Sequence, residues 1–342
     1  MSLPPKEIPL GAMRFNSDSQ KLEYFNGEIW MQIHTFNPTM EGGHRGLIMG
    51  GSSYTDTIEY ITISTQGNGQ DFGNLDTGCM LMSGCSSNTR GLAMGGRAPG
   101  GTQTNRIEYV TIQTKGDGVN FGDLLKTNDY GGIGNLGNQT RGMVQGGVNP
   151  AHSDADMGAD INYVTIASTG NAIKFGEATG THMYSPALLS SPTRGLISGG
   201  GNPGINTTDY ITIGTLGNAA DFGDLIKNGG QGPAGAASSV IGLVGGGYYG
   251  GSDLFTVQKF NIATLGNSSY FGDLTDSRRW HCAVSDSIRA VWCGGYAPGS
   301  VNTMDFNTFA TSGNSIDFGD MTVSPAARGG QAGASSGHGG LG

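Results

Sequence analysis

Arg45-Gly-Leu-Ile-Met-Gly-Gly51 decides the fold, because it returns along the chain with its shape intact. The later copies read Arg90-Gly-Leu-Ala-Met-Gly-Gly96, Arg141-Gly-Met-Val-Gln-Gly-Gly147, Arg194-Gly-Leu-Ile-Ser-Gly-Gly200, Ile241-Gly-Leu-Val-Gly-Gly-Gly247 and Arg289-Ala-Val-Trp-Cys-Gly-Gly295. A second series runs in step with it, through Phe72-Gly73, Phe121-Gly122, Phe175-Gly176, Phe222-Gly223, Phe271-Gly272 and Phe318-Gly319, at spacings of 49, 54, 47, 49 and 47 residues. Between the two series lie alternating segments such as Ile58-Glu-Tyr-Ile-Thr-Ile63, whose period of two and β-branched content mark strands between packed layers. After each Phe-Gly comes a segment of small residues, as in Ala187-Leu-Leu-Ser-Ser191, suited to a crowded position where many strands converge.

A four-stranded unit of roughly 50 residues is the size of one propeller blade and too long for a leucine-rich repeat. The sequence therefore predicts an all-β fold with a six-bladed β-propeller over residues 35–342. The last small segment, Ala332-Gly-Ala-Ser-Ser336, has no blade of its own, and the first Gly-Gly strand has no small segment before it. The C-terminal strand is expected to complete the first blade, which removes an edge open to aggregation. A Gly-Asn or Gly-Asp pair stands at a fixed distance before each Phe, as in Gly67-Asn68, and predicts a tight hairpin with positive-φ residues.

The apolar strand ending in Gly-Gly, the tyrosine in the next strand and the blade length together resemble the kelch and galactose-oxidase-type propellers. The resemblance spans residues 40–342 at the level of architecture. It departs from the kelch pattern where Phe-Gly-Asp replaces the usual later-strand tryptophan.

Composition narrows the function. The chain holds 63 glycines in 342 residues, at fixed offsets between β-branched runs and without a Gly-X-Y period, so they are turn and close-packing glycines. A net charge of -9 with only 18 Lys and Arg argues against a nucleic-acid partner. No apolar run approaches the roughly 20 residues that span a bilayer, so no membrane insertion is expected. The start, Met1-Ser-Leu-Pro-Pro-Lys-Glu-Ile-Pro9, lacks the pattern of a secretory signal. Four cysteines without metal-ligand spacing read as buried reduced thiols, consistent with synthesis in a reducing bacterial cytoplasm.

Residues 1–34 stand outside the repeat. Gly11 to Asn16, Lys21 to Phe25 and Glu28 to Ile33 read as three short strands, the last two joined by an Asn26-Gly27 turn, a small β-hairpin element. So short an element cannot bury a core alone, and Phe15, Tyr24, Phe25 and Trp30 are expected to form an attachment interface. Gly11, Arg14, Phe15, Asn16, Leu22, Glu23, Tyr24, Asn26, Gly27 and Trp30 resemble a short element of bacteriophage structural proteins, including tail fibres of phages of marine bacteria. That resemblance implies a virion protein whose partners are other virion proteins, with a host-surface glycan or receptor, or further copies of itself, as additional partners.

Catalytic chemistry is sparse. His34, His44, His152, His182, His281 and His338 share no ligand spacing, the sialidase boxes are absent, and no nucleophile elbow or phosphate loop occurs, so neither an enzyme nor a cofactor is expected. Asp154, Asp156 and Asp160, with Gly158, alternate as at the start of a calcium loop but lack the distal glutamate, which favours a solvated acidic loop. The arginines of the Gly-Gly series could ring an anion, but a residue repeated once per blade more often serves the blade. The resulting expectation is a non-enzymatic virion protein, a tail fibre, adhesin or capsid decoration, whose loops at 97–104, 148–159 and 248–252 face a partner. The alternative is a kelch-type carbohydrate-binding protein or carbohydrate-active enzyme.

Overall fold

A computed structural model of the protein describes residues 8–16, 21–32, 43–145, 147, 158–180, 182–201 and 203–341. It is all-β, with 3-10 turns as its helical elements among the described residues. The chain divides into two units, Met1–Thr39 and Met40–Gly342, a boundary slightly beyond residue 34 where the repeat was expected to begin.

In the larger unit the repeat becomes a series of antiparallel sheets with the strand order the sequence implies. Each Gly-Gly segment forms the second strand of its sheet, as in Arg90–Met94 and Arg194–Ser198. It is flanked by a small-residue strand, such as Ser83–Ser86 or Ala187–Ser190, and by the alternating strand, such as Thr102–Thr111 or Thr207–Thr212. The Phe-Gly segment is the outer strand, as in Ala220–Asp224. The C-terminal strand Ala332–Ser335 pairs antiparallel with Arg45–Met49, Ala332 opposite Met49, and so completes the first sheet as expected.

One sheet departs from the pattern. In the third, the run 131–137 carries four glycines in seven residues, which weakens any strand. Its short strand Ile133–Gly134 pairs in parallel with Ala187–Ser190 of the fourth sheet, and the run meets Arg141–Gln145 only through Leu136 O, which accepts from Met143 N (2.8 Å), and an isolated bridge between Gly137 and Gly142.

Each sheet is covered on both faces by its neighbours. Leu47, Met49, Ile58 and Phe72 of the first sheet pack with Ala93, Val110 and Ile112 of the second. Ile48, Ile61 and Ile63 of the same first sheet pack with Cys282, Val291, Met304 and Phe318 of the sixth. The small strands of successive sheets touch, and Ala332–Ser335 touches both Cys282–Ser285 and Ser83–Ser86. All four cysteines are buried free thiols. The six phenylalanines of the Phe-Gly pairs are buried, while Asn74, Asp123, Glu177 and Asp320 beyond them are exposed.

The Gly-Asn pairs do something other than the expected hairpin turn. The reversal is made upstream, where Thr65 N donates to Thr62 O (3.1 Å). Gly67 and Asn68 instead clasp the outer strand of the sixth sheet: Gly67 N donates to Phe318 O (2.9 Å), and Asn68 Oδ1 accepts from Asp320 N (3.0 Å). Gly116 and Asp117 hold Phe72 O and Asn74 N in the same way (3.0 and 2.9 Å), and the side-chain contact recurs at Asn171, Asn218, Asn267 and Asn314. This explains the glycine after each Phe, since a Cβ on Gly73 would run into the Gly116 carbonyl and one on Gly319 into that of Gly67. The clasp also satisfies outer-edge backbone groups that would otherwise invite another chain.

Candidate functional site

The smaller unit is a three-stranded antiparallel sheet of β1 (Met13–Asn16), β2 (Lys21–Phe25) and β3 (Trp30–Gln32). Between β2 and β3 the Asn26 Oδ1 accepts from Glu28 N (3.0 Å) and Ile29 N (2.8 Å), and Gly27 takes φ +100°, so the Asn-Gly pair turns the chain as its chemistry predicts. Met13 lies opposite Tyr24 and Tyr24 opposite Met31, and strand alternation puts Phe15 on the same face. That face is apolar and open, with Phe15 66 %, Met13 61 %, and Tyr24 and Met31 each 39 % exposed.

The opposite face is internally satisfied. The buried Glu23 accepts from Arg14 Nε (2.8 Å) and Asn16 Nδ2 (2.9 Å). The Arg14 guanidinium lies 4.1 Å over the Trp30 ring, and Trp30 packs on Phe25 at 5.5 Å between centroids. The four aromatics expected to act together therefore divide: Phe15 and Tyr24 sit on the open face, whereas Phe25 and Trp30 hold the sheet from behind. Strand alternation carries that division in the sequence, since Tyr24 and Phe25 are adjacent and must point to opposite faces.

In the larger unit, Asp154 and Asp156 lie outside the described residues. Asp160 is engaged by two lysines, Lys126 Nζ at 3.1 Å and Lys174 Nζ at 3.2 Å. His34 and His152 also lie outside the described residues, and the other histidines stand apart. Nδ1 of His182 faces Gly199 O (2.8 Å) and its Nε2 lies 3.3 Å from Asp209; His338 Nε2 donates to Ser86 O (3.0 Å). Burial pushes His338 down to about 4 and His281, beside Arg278, well below the usual range. Among the described residues no three His, Cys, Asp or Glu side chains gather as a cation site.

The repeated arginines join sheets. Arg45 Nη1 donates to Ile112 O (3.0 Å) of the second sheet, Arg90 to Ile166 O (2.8 Å), Arg141 to Ile213 O (2.6 Å), Arg194 to Ile262 O (2.8 Å) and Arg289 to Ile63 O (3.1 Å). Each guanidinium also lies over an aromatic ring of its own sheet, Tyr60, Tyr109, Tyr163, Tyr210 or Phe306, at 4.7 to 5.0 Å. The guanidinium thus caps strand-end carbonyls of the adjoining sheet at five of the six repeats. At the position of the missing arginine, Ile241 packs into the apolar cluster that holds Phe309.

Two features escaped the sequence reading. Glu59, Glu108, Asp209, Gln258 and Asp305 hold the same place in the alternating strands and are buried, each accepting a backbone amide from the loop that leaves the preceding sheet. For Asp209, burial opposes ionisation, but hydrogen bonds from His182 and Thr179 outweigh it and lower its pKa. For Glu108 burial prevails over the Asp76 amide and Arg106, and its pKa is raised. Ile-Glu-Tyr, at 58–60 and again at 107–109, with Thr208-Asp-Tyr210 in the same place, was the available signal, since an acid inside a covered strand has to be paired.

The second feature is a cluster of aromatic rings and arginines built from loops. Tyr130 packs on Tyr184 (5.4 Å between centroids) and on Trp280 (6.1 Å), and Trp280 packs on Tyr296 (6.2 Å). Arg279 lies over Tyr248, Trp280 and Tyr296 at 4.2, 4.7 and 4.8 Å, and Arg97 over Tyr130 at 5.3 Å. Both cations are paired, Arg279 with Asp253 (2.6 Å) and Arg97 with the buried Asp129. Single aromatics scattered through separate loops carry no motif, so only the fold brings them together. No protein-family model and no curated protein sequence matches the chain.

Proposed function

We propose that the protein is a non-enzymatic structural component of a bacteriophage particle, a tail fibre, adhesin or capsid decoration. Its repeat forms a six-bladed, kelch-like propeller, and its N-terminal sheet joins it to other virion proteins. The closed propeller is supported by contacts that run from the last sheet back to the first: Arg289 on Ile63, Asn68 on Asp320, and the C-terminal strand within the first sheet.

The observation that carries the attachment reading is the open face of Met13, Phe15, Tyr24 and Met31. A three-stranded sheet whose one face is held by Arg14, Glu23 and Trp30 gains stability by covering the other, and aromatic anchors of this kind dominate interfaces. The N-terminal resemblance to phage structural proteins supplies the class of partner. Immunogold labelling of purified particles tests the reading directly. Label at a fixed position on every particle is the expected result, and particles free of the protein would refute it.

A further inference from the structure

The six loops that lead into the small strands place one residue each at an equivalent position: Leu81, Tyr130, Tyr184, Gly232, Trp280 and Gly330. All six take positive φ, at 59°, 59°, 57°, 66°, 53° and 73°. Backbone hydrogen bonds link them in series: Leu81 N to Gly330 O (2.6 Å), Gly330 N to Trp280 O (2.6 Å), Trp280 N to Gly232 O (2.8 Å), and Gly232 N to Tyr184 O (3.1 Å). Ser185 N continues the series to Tyr130 O (2.8 Å).

Glycine meets this backbone demand without strain and does so at two of the six positions. A bulky L residue there is strained, because its Cβ crowds the following carbonyl oxygen. Tyr130, Tyr184 and Trp280 therefore hold positions the fold itself would rather give to glycine, and strain of this kind gathers at functional sites. What they add is ring surface. The rings are half-buried, and Gly232 makes room for them, since a Cβ there would strike the Trp280 indole.

The electrostatics select the ligand. Arg97 and Arg279 are each neutralised by a carboxylate, so the cluster offers no unpaired cation among these residues for a phosphate or sialate. The same guanidiniums already lie on the ring faces that an organic cation would occupy. What remains is aromatic surface beside the Arg279–Asp253 pair, both partly accessible and held in place by their ion pair, so that their outward N–H and carboxylate groups stand as oriented donors and acceptors. A pyranose ring matches this combination, with its C–H face stacking on an aromatic ring and its hydroxyls reaching the polar groups at the edge.

We propose that the cluster around Trp280 and Arg279 is a binding site for a neutral carbohydrate, which deepens the display role and rests on that reading only for where the glycan is presented. The test uses the full-length protein in solution, so its failure leaves attachment to the virion untouched. Binding is measured on an array of neutral, sialylated and sulfated oligosaccharides, and the strongest neutral ligand is titrated by tryptophan fluorescence. Neutral oligosaccharides should bind. Trp280→Gly, the residue used at positions 232 and 330, should weaken that binding at least tenfold while the melting profile stays cooperative. Arg279→Gln should weaken it as well and covers the case in which Trp280→Gly does not fold. An array with no neutral binding, binding confined to acidic glycans, or undiminished binding by both variants would overturn the proposal.

Discussion

The N-terminal sheet and any one of the repeated sheets are made of similar strands, yet they solve the exposure of their faces and edges in different ways. In the first repeated sheet, Leu47 and Met49 pack on one neighbour and Ile48 and Ile61 on another, while the outer edge is clasped by Gly116 and Asp117. In the N-terminal sheet one face is held by the Arg14, Glu23 and Trp30 group, and the other leaves Met13 and Phe15 in solvent. The repeat supplies its own partners because each sheet offers its neighbour an equivalent apolar surface. The N-terminal sheet has no such copy, and its Met13 and Phe15 stay exposed.

If the repeated sheets depend on mutual covering, the largest effect should come from removing one strand of the closure. Deleting residues 328–342 takes away Ala332–Ser335 and leaves Arg45–Met49 with an unpaired edge, and the product should aggregate or unfold. A truncated chain that elutes as a monomer with an unchanged melting temperature would break the comparison at its root. Next in size is Phe222→Ala. Phe222 is buried between Tyr210 (6.0 Å) and Phe260 (5.6 Å), and its loss should cost about 3 to 5 kcal/mol in denaturant unfolding.

The strand order, the completion of the first sheet by the C-terminus and the buried Phe-Gly phenylalanines are legible in the sequence because each repeats, and repetition turns a weak local pattern into a strong one. The Gly67-Asn68 pair was legible as a special backbone position but misleading in purpose, because its partner lies in the preceding sheet, some 250 residues away. The split of the N-terminal aromatics was present in the alternation of Tyr24 and Phe25. The cluster around Trp280 was not legible, because its members fall in loops whose residue type changes from repeat to repeat, Leu81, Tyr130, Tyr184, Gly232, Trp280 and Gly330, so that the repeat period carries no residue pattern there.

Burial of His338 predicts a smaller effect, one that depends on pH. Its pKa falls to about 4 in the fold against a usual value near 6.5, so the unfolded chain binds the extra proton. Its contribution is complete above about pH 6.5 and is lost as pH falls towards 4, a change on the order of 3 kcal/mol, with His281 shifting in the same direction. Melting temperatures between pH 7 and 4 should drop, and His338→Gln should flatten part of the drop. A slope identical in that variant would show that other groups carry it. Smaller again is Arg194→Ile, which copies the natural Ile241. It removes the bond to Ile262 O and the stacking on Tyr210, and should cost about 1 to 2 kcal/mol.

The smallest effect on stability should come from the residues on which the comparison turns. Phe15→Ser combined with Tyr24→Ser removes as much aromatic surface as a core substitution, but from a face already in water. The unfolding free energy of the larger unit should therefore change by about 0.5 kcal/mol or less, since no buried contact is lost. Incorporation into particles should nevertheless fall sharply, because the interface would lose its anchors. Phe25→Ser is the matched control: it disturbs the packing on Trp30 and should loosen the sheet itself, visible as faster amide exchange over β2 and β3. If Phe15→Ser with Tyr24→Ser proved as destabilising as Phe222→Ala, the open face would be covered within the chain in solution. If the double variant assembled into particles as well as the parent, attachment would have to be sought on the repeated sheets instead.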